Sequence, residues 1–175
     1  MDDKLILGPG HELGHGDSAN ANEPAASGSI ERNIKSPGLK RLYLRWRQLL
    51  LDGAELPGLR AFDFDNDELS PHGFIVAVVD DGFRYTFVGD ALVKRLGRSP
   101  VGESVDGDAH ELFGSLQATY RQCRTQQAPC YEFVRYALGD ERPFLFERLV
   151  MPFFGGDRVT HLAGVVLFND LTPVH

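Results

Sequence analysis

The feature that most restricts how this chain can fold is where its aromatic residues lie. The 175 residues include 12 Phe, 5 Tyr and 1 Trp, and every one falls between Tyr43 and Phe168. Aromatic side chains supply much of the area that a core can bury, and a stretch without them hardly offsets its loss of chain entropy. We therefore expect a flexible tail over residues 1–37, one globular domain over 38–170, and a short C-terminal tail over 171–175.

The domain is expected to begin with an amphipathic helix over residues 38–53. Apolar residues recur there at spacings of three and four, and Gly53 follows them. Leu44 and Leu51 widen the apolar stripe beyond what packing on one surface needs, so the helix is also expected to contact a second subunit. The candidate residues for a dimer interface are Leu39, Leu42, Tyr43, Trp46 and Leu50.

Beyond residue 73 the pattern predicts a sheet. A β-branched run from Phe74, a turn at Asp80-Asp81-Gly82, and alternation of Phe83, Tyr85 and Phe87 indicate a hairpin with one buried face. A short helix over 91–96 and a longer one from Asp108 precede strands at 130–138, 144–154 and 160–168. The fold class is therefore α+β, a five-stranded antiparallel sheet with helices packed on one face, preceded by the amphipathic N-terminal helix.

Composition excludes several classes of protein. A net charge of -7 argues against a nucleic-acid-binding protein, and no apolar run approaches the roughly 18 residues of a membrane span. Two cysteines do not make a disulfide framework, so free thiols and a cytoplasmic location are expected. One basic island, Lys40, Arg41, Arg45 and Arg47, is either a solvated helix face or a surface that docks on an acidic segment of this chain or of a partner.

His11-Glu12-Leu13-Gly14-His15 matches the H-E-x-x-H pattern of zinc proteases, in which two histidines one helical turn apart bind the metal. Pro9, Gly10, Gly14 and Gly16 disfavour the helix that this geometry needs, and a tail without a core has no cleft to exclude water. A zinc metalloprotease is therefore only the alternative hypothesis, and we predict no metal site.

No other arrangement of residues indicates catalysis, so the chain is expected not to be an enzyme. His72, His110 and His161 lack partners at ligand spacing, and the acidic run from Asp63 lacks the Gly and Glu of a calcium loop. Apolar residues with polar tips on the predicted inner faces fit either a filled core or a pocket for a small apolar ligand. The pocket candidates are Phe87, Leu112, Leu116, Tyr120, Phe133, Tyr136, Phe146 and Met151.

Three strings together with this order of elements resemble a PAS domain, and most nearly the small stand-alone bacterial PAS-like proteins. They are LYLRWRQLL in the leading helix, FRYTFVGDALVKRLGRSPVGES from the second strand onward, and FERLVMPFFGGDRVTHLAGVVLFND in the last two strands. The resemblance covers residues 39–170. It implies a sensory or protein-interaction module in signal transduction that binds small ligands between helices and sheet and dimerises through its leading helix.

The resemblance leaves the cofactor unknown. The Asn-Cys-Arg-Phe-Leu motif of flavin photosensors has no match here, since Asn66 is followed by Asp67, so flavin is not expected. Haem-binding PAS domains use a histidine on the long helix. The single candidate here is His110, and its place in the first turn of the predicted helix is a poor fit, so haem is not expected either. With no output domain in 175 residues, the chain is expected to act as a homodimer or on a signalling protein in trans.

Overall fold

The computed structural model describes residues 27–52, 58–59, 64, 67–105, 116–136 and 144–170. The helices are α1 (Ser27–Asn33), α2 (Pro37–Asp52), α3 (Asp90–Leu96) and α4 (Leu116–Gln126). The strands are β1 (Gly73–Val79), β2 (Gly82–Val88), β3 (Cys130–Tyr136), β4 (Phe144–Gly155) and β5 (Arg158–Asp170). The predicted α+β class with a five-stranded antiparallel sheet is confirmed.

The strands are ordered β2-β1-β5-β4-β3, and each neighbouring pair is antiparallel. Two tight turns build the hairpins. Asp80 takes a positive φ of 51° between β1 and β2, and Gly156 one of 67° between β4 and β5. A glycine costs least in that conformation, and aspartate is among the few other residues that adopt it readily. The sheet therefore comprises two hairpins and β3, with β5 at its centre.

Both faces of the sheet carry helices. We call the surface packed against α3 and α4 the α4 face, and the one packed against α1 and α2 the α2 face. Successive buried residues of a strand point to opposite faces of the sheet. Val150 and Leu162, for example, lie on the α4 face, whereas Met151 and Ala163 lie on the α2 face. The prediction placed helices on one face, which α3 and α4 occupy. The leading helix covers the other.

The folded part of the chain begins earlier than the aromatic boundary suggests. Residues 27–37 were expected in the tail, but the structure places α1 at Ser27–Asn33 and buries Ile30 and Ile34 on the α2 face. Two isoleucines, one in this short helix and one directly after it, therefore supply apolar area where no aromatic residue does. Ser36 and Pro37 then begin α2, with the Ser36 hydroxyl accepting from the Leu39 N–H at 3.5 Å and Pro37 in the first turn.

A β-bulge in β2 changes which face its side chains occupy. Ile75 pairs with Phe87 and Val76 pairs with Tyr85, so Thr86 has no partner position in β1. Phe83 and Tyr85 therefore lie on the α4 face, whereas Phe87 lies on the α2 face, where its ring meets Phe64 edge-on at 6.0 Å. The prediction of one buried face for all three aromatic residues was wrong at Phe87.

Candidate functional site

The space between α4 and the sheet is lined by buried aromatic residues. Tyr120 lies at its centre, fully buried, with the rings of Phe74 and Phe83 at 5.5 and 5.4 Å. Gly164 in β5 leaves room for Phe74, since a Cβ there would lie 2.5 Å from the ring. The three rings are thus in close contact around Tyr120.

The Tyr120 hydroxyl is the exception to this good packing. It is buried and has no hydrogen-bond partner among the residues that the structure describes. Burial raises the pKa of Tyr120 well above its ordinary value, and the nearby Tyr85 hydroxyl raises it further. Tyr85 is thus close enough to act on Tyr120 electrostatically, but the two hydroxyls do not have hydrogen-bond geometry. A buried polar group in this state costs about 1–3 kcal/mol.

A buried ion pair lies beside these tyrosines. Arg148 in β4 is 1% exposed, and its Nε donates to Glu132 Oε2 at 2.7 Å, with Nη2 of Arg148 in contact with the same oxygen. Glu132 is the directly opposite residue in β3. The Thr119 hydroxyl of α4 donates to Glu132 Oε1 at 2.9 Å and lies 3.4 Å from Arg148 Nη2. The helix is therefore fixed to β3 and β4 through side chains.

A small cleft opens at the end of the β1–β2 hairpin, next to the start of α4. Its volume is about 170 Å³, and its lining includes Phe83, Val105 and Gln117. Phe83 separates this cleft from the Tyr120 ring, because it lines the first and packs on the second. Ligand pockets for drug-sized molecules usually measure about 300–1,000 Å³, so this one fits only a small molecule.

The pocket candidates from the sequence do not all converge. Leu116, Tyr120 and Phe146 lie together on the α4 face. Met151 lies on the α2 face with Phe87, because an odd number of strand positions separates it from Phe146. Phe133 is 46% exposed on edge strand β3. Leu112 is outside the described residues, and for Tyr136 the structure gives only its backbone position in β3.

The α2 face contains a second buried charge. Glu147, 3% exposed, accepts from the backbone N–H groups of Lys35 and Ser36 at 2.7 and 2.9 Å and from the Tyr131 hydroxyl at 2.9 Å. Burial and the Glu147 carboxylate raise the pKa of Tyr131 to about 12. A carboxylate at the first turn of α2 is favoured by the helix dipole, so Glu147 anchors the start of this helix to β4.

Four of the five dimer candidates are covered by the chain's own sheet. Leu39, Leu42, Tyr43 and Trp46 are at most 4% exposed, and the Trp46 indole N–H donates to the Pro152 carbonyl at 2.9 Å. This corrects their assignment to a surface that meets a second subunit, because the helix stripe that the sequence reveals is the one that packs on the sheet. Leu50 is partly exposed, and beside it Leu44 and Leu51 are 39% and 68% exposed.

The basic island docks on acidic residues of the same chain. Arg41 pairs with Glu68, and Arg45 Nη1 lies 3.0 Å from Asp67 Oδ2. Arg47 and Lys40 both pair with Glu31 of α1, at 3.0 and 3.8 Å. Of the two interpretations of this island, electrostatic docking on the chain's own acidic segment is confirmed.

The described residues contain no group of three or more metal-ligating side chains. His11, Glu12 and His15 lie outside them, as does His110. Within the described part of the chain, no helix has both the length and the apolar character to cross a membrane.

Solved structures similar to this chain are PAS and LOV (light-oxygen-voltage) domains. A Rhodobacter sphaeroides LOV protein is 10% identical, with 74% of this chain and 67% of that chain covered and a TM-score of 0.42. The PAS domain of Bordetella pertussis BvgS is 16% identical over 55% of this chain and 74% of that chain, with a TM-score of 0.37. A PAS domain from Colwellia psychrerythraea is 17% identical over 65% of this chain and 94% of that chain, with a TM-score of 0.39.

No family model matches the chain, and no curated protein does. The solved structures to which the chain is similar are thus PAS and LOV domains, the kind that the resemblance of its sequence predicted.

Proposed function

We propose that this chain is a non-enzymatic sensory and interaction module of bacterial signal transduction, which acts on a partner protein in trans or through a homodimer. Its sensing site would be the space between α4 and the sheet, and its ligand a small apolar molecule. The observation that supports this proposal is the buried Tyr120 hydroxyl without a hydrogen-bond partner among the described residues.

The chemistry around Tyr120 defines the ligand class. A molecule with one hydrogen-bond acceptor, such as a carbonyl oxygen, would satisfy the hydroxyl, and its apolar part would pack among aromatic rings. The cleft of about 170 Å³ lies on the other side of Phe83, so its volume would limit the ligand's size, and rotation of the Phe83 ring would open it toward Tyr120. A small aromatic ketone or aldehyde has these properties.

Ligand binding here would act on α4. Thr119, which directly precedes Tyr120, donates a hydrogen bond of 2.9 Å to Glu132 and thereby links this helix to β3. A ligand seated beside Tyr120 would therefore move α4 against β3, with α2 unaffected on the opposite face. Such a shift is the change that a partner protein would recognise.

The experiment combines native mass spectrometry of freshly purified protein with thermal unfolding in the presence of acetophenone. Ethylbenzene, which has the same shape but no acceptor, is the matched ligand control. We expect acetophenone to raise the midpoint of wild type, with ethylbenzene and the Tyr120→Phe variant showing little effect. The control variant Tyr131→Phe, on the α2 face, should respond like wild type.

Two results would contradict the proposal. One is wild-type protein that retains no small molecule and is stabilised by neither compound. The other is equal stabilisation of wild type and Tyr120→Phe by acetophenone, which would mean that the Tyr120 hydroxyl does not take part in binding. Without any ligand, Tyr120→Phe should be about 1 kcal/mol more stable than wild type, because the unpartnered hydroxyl is gone.

The exposed leucines of α2 support the homodimer within this proposal. Leu44 and Leu51 are two helical turns apart and both project from the sheet. Replacing both with Glu should lower the mass measured by light scattering to that of a monomer and leave the circular dichroism unchanged. The matched variant Leu42→Glu should instead unfold the α2 face. A dimer that survives both surface changes would contradict this assignment.

A further inference from the structure

The two cysteines of this chain meet between α4 and the sheet. Cys123 lies on α4 and Cys130 begins β3, and both are buried in the core on the α4 face. Each contacts the same residue of β4. Cys130 is paired with Val150 in the strand ladder, and Cys123 Sγ donates to the Val150 carbonyl at 3.8 Å. The two thiols therefore lie close enough for each to alter the pKa of the other.

The surroundings make these thiols unequal. The neighbouring Cys123 thiol lowers the pKa of Cys130, and Arg148 acts in the same direction, opposed by burial and by Glu132. Burial raises the pKa of Cys123 well above its ordinary value, and Cys130 raises it further. A thiolate is the nucleophilic form of cysteine, so Cys130 is the residue that reacts first.

We propose that Cys123 and Cys130 are a redox site, in which a hydroperoxide converts the pair of thiols into an intramolecular disulfide. The Cys130 thiolate attacks one oxygen of hydrogen peroxide, the O–O bond breaks, and hydroxide leaves, which gives a sulfenic acid. Cys123 then attacks the Cys130 sulfur, its proton and the sulfenic hydroxyl leave as water, and the S–S bond forms. In total, two thiols and one peroxide give one disulfide and two waters.

Three features of the structure support this assignment. Cys130 retains 8% exposure on an edge strand, so a small opening of the edge exposes its sulfur to peroxide. Cys123 Sγ lies 3.8 Å from the carbonyl oxygen of Val150, the residue directly opposite Cys130 in β4. The bond would join the last turns of α4 to β3, close to Thr119 and Tyr120, and would thereby fix the helix that now depends on hydrogen bonds. The site does not require a ligand at Tyr120.

The test is titration of the reduced, full-length protein with hydrogen peroxide, followed by intact mass measurement and peptide mapping. We expect the mass to fall by two hydrogen atoms, the peptides of Cys123 and Cys130 to be linked within one chain, and dithiothreitol to reverse both changes. Hydrogen exchange of amides in α4 should slow on oxidation. The exchange of α2 and the fluorescence of Trp46 should stay constant, since they report the opposite face.

Single variants separate the two roles. In Cys123→Ser, Cys130 should accumulate as a sulfenic acid that dimedone traps. In Cys130→Ser, the remaining thiol should react at least about ten-fold more slowly, because it is fully buried and protonated. Circular dichroism checks the fold of each serine variant. The alanine variant at the same cysteine is used where the serine variant does not fold.

The proposal is overturned if peroxide links separate chains or leaves both thiols free in folded wild type while oxidising them in guanidinium. Equal reaction rates of the two single variants would overturn the order of attack. Should the serine and alanine variants not fold, disulfide mapping of wild type still decides the proposal. Failure of acetophenone to bind would leave this result unchanged, so the two proposals are tested separately.

Discussion

Two neighbouring residues of β4, Glu147 and Arg148, are both buried and point to opposite faces of the sheet. Glu147 receives hydrogen bonds from two backbone N–H groups at the start of α2 and from one tyrosine. Arg148 contacts the side chains of Glu132 in β3 and Thr119 in α4. Backbone donors are fixed by the helix itself, whereas side chains can change rotamer.

The difference assigns distinct roles to the two layers. On the α2 face Glu147 receives two backbone donors in addition to the Tyr131 hydroxyl, and these attach the start of α2 to the sheet. On the α4 face lie an ion pair, a thiol pair and a hydroxyl that has no partner among the described residues. The contacts of Glu132 with Arg148 and Thr119 join side chains, which can exchange partners without unfolding the backbone.

The largest expected effect comes from removing the partner of Arg148. Glu132→Ala leaves a guanidinium that is 2% exposed without its carboxylate, which should lower the free energy of unfolding by about 3–5 kcal/mol. Arg148→Met should cost only about 1–3 kcal/mol, because the Glu132 side chain is 28% exposed and reaches water. Urea denaturation measures both.

The double variant Glu132→Leu/Arg148→Met provides the control. It should lie within about 1 kcal/mol of wild type, since apolar pairs often replace buried ion pairs without loss. A double variant as unstable as Glu132→Ala would show that the ion pair itself stabilises the fold. It would then be a fixed part of the domain, as the contacts of Glu147 are on the α2 face.

On the α2 face the matching change is Glu147→Gln. The amide keeps the shape but loses the charge and places an NH₂ group toward N–H donors, so we expect a loss of about 2–3 kcal/mol. The fluorescence of Trp46 should report detachment of α2 in the same urea titration. Glu103→Gln, which removes only an exposed pair with Arg98, is the control and should change little. Equal losses in these two variants would contradict the anchoring role of Glu147.

A smaller effect is expected for Thr119→Val. This change keeps the side-chain volume and removes the hydroxyl that joins α4 to Glu132, at a cost of about 1 kcal/mol. Amide hydrogen exchange should accelerate in α4 and stay unchanged in α2. Faster exchange in both helices would mean that the two layers are not independent.

The smallest effect is a pH dependence at His161, on the α2 side of β5. Burial lowers the pKa of His161 below its ordinary 6.5, so the unfolded chain binds this proton more readily. His161 does not affect the free energy of unfolding well above pH 6.5. As the pH decreases from there toward the pKa of His161 in the folded protein, the free energy of unfolding falls. His161→Gln should flatten the stability curve in that range, and parallel curves for the two proteins would refute the assignment.

The sequence was sufficient for the fold because its strands and turns are signalled locally. The run from Phe74, the Asp80 turn and the glycines at 155–156 fix two hairpins, and the spacing from Leu39 fixes α2. Which face each side chain occupies was harder to predict. The bulge at Thr86 reverses Phe87, and the alternation of aromatic residues in β2 does not indicate it, although it lies within the local β1–β2 hairpin. Met151 could have been placed correctly, since five positions from Phe146 is an odd interval.

The ion pair was missed for a different reason. Two adjacent charges inside an apolar strand must point to opposite faces, so Glu147 and Arg148 indicated buried polar groups on both. The partners of Arg148 could not be deduced, because Glu132 and Thr119 come from separate elements whose register only the folded sheet defines. The resemblance to a PAS domain predicted the architecture and gave no information about these residues.

The position of β5 has a consequence for biosynthesis. Among the described strands it comes last in the sequence, and it is the central strand of the sheet, with β1 on one side and β4 on the other. During translation, the β1–β2 hairpin therefore waits for a neighbour that is made about 70–90 residues later, while both hairpins can form locally. The nascent domain can complete its sheet only after residue 170 has left the ribosome, and until then the inner edge of β1 is open to chaperones.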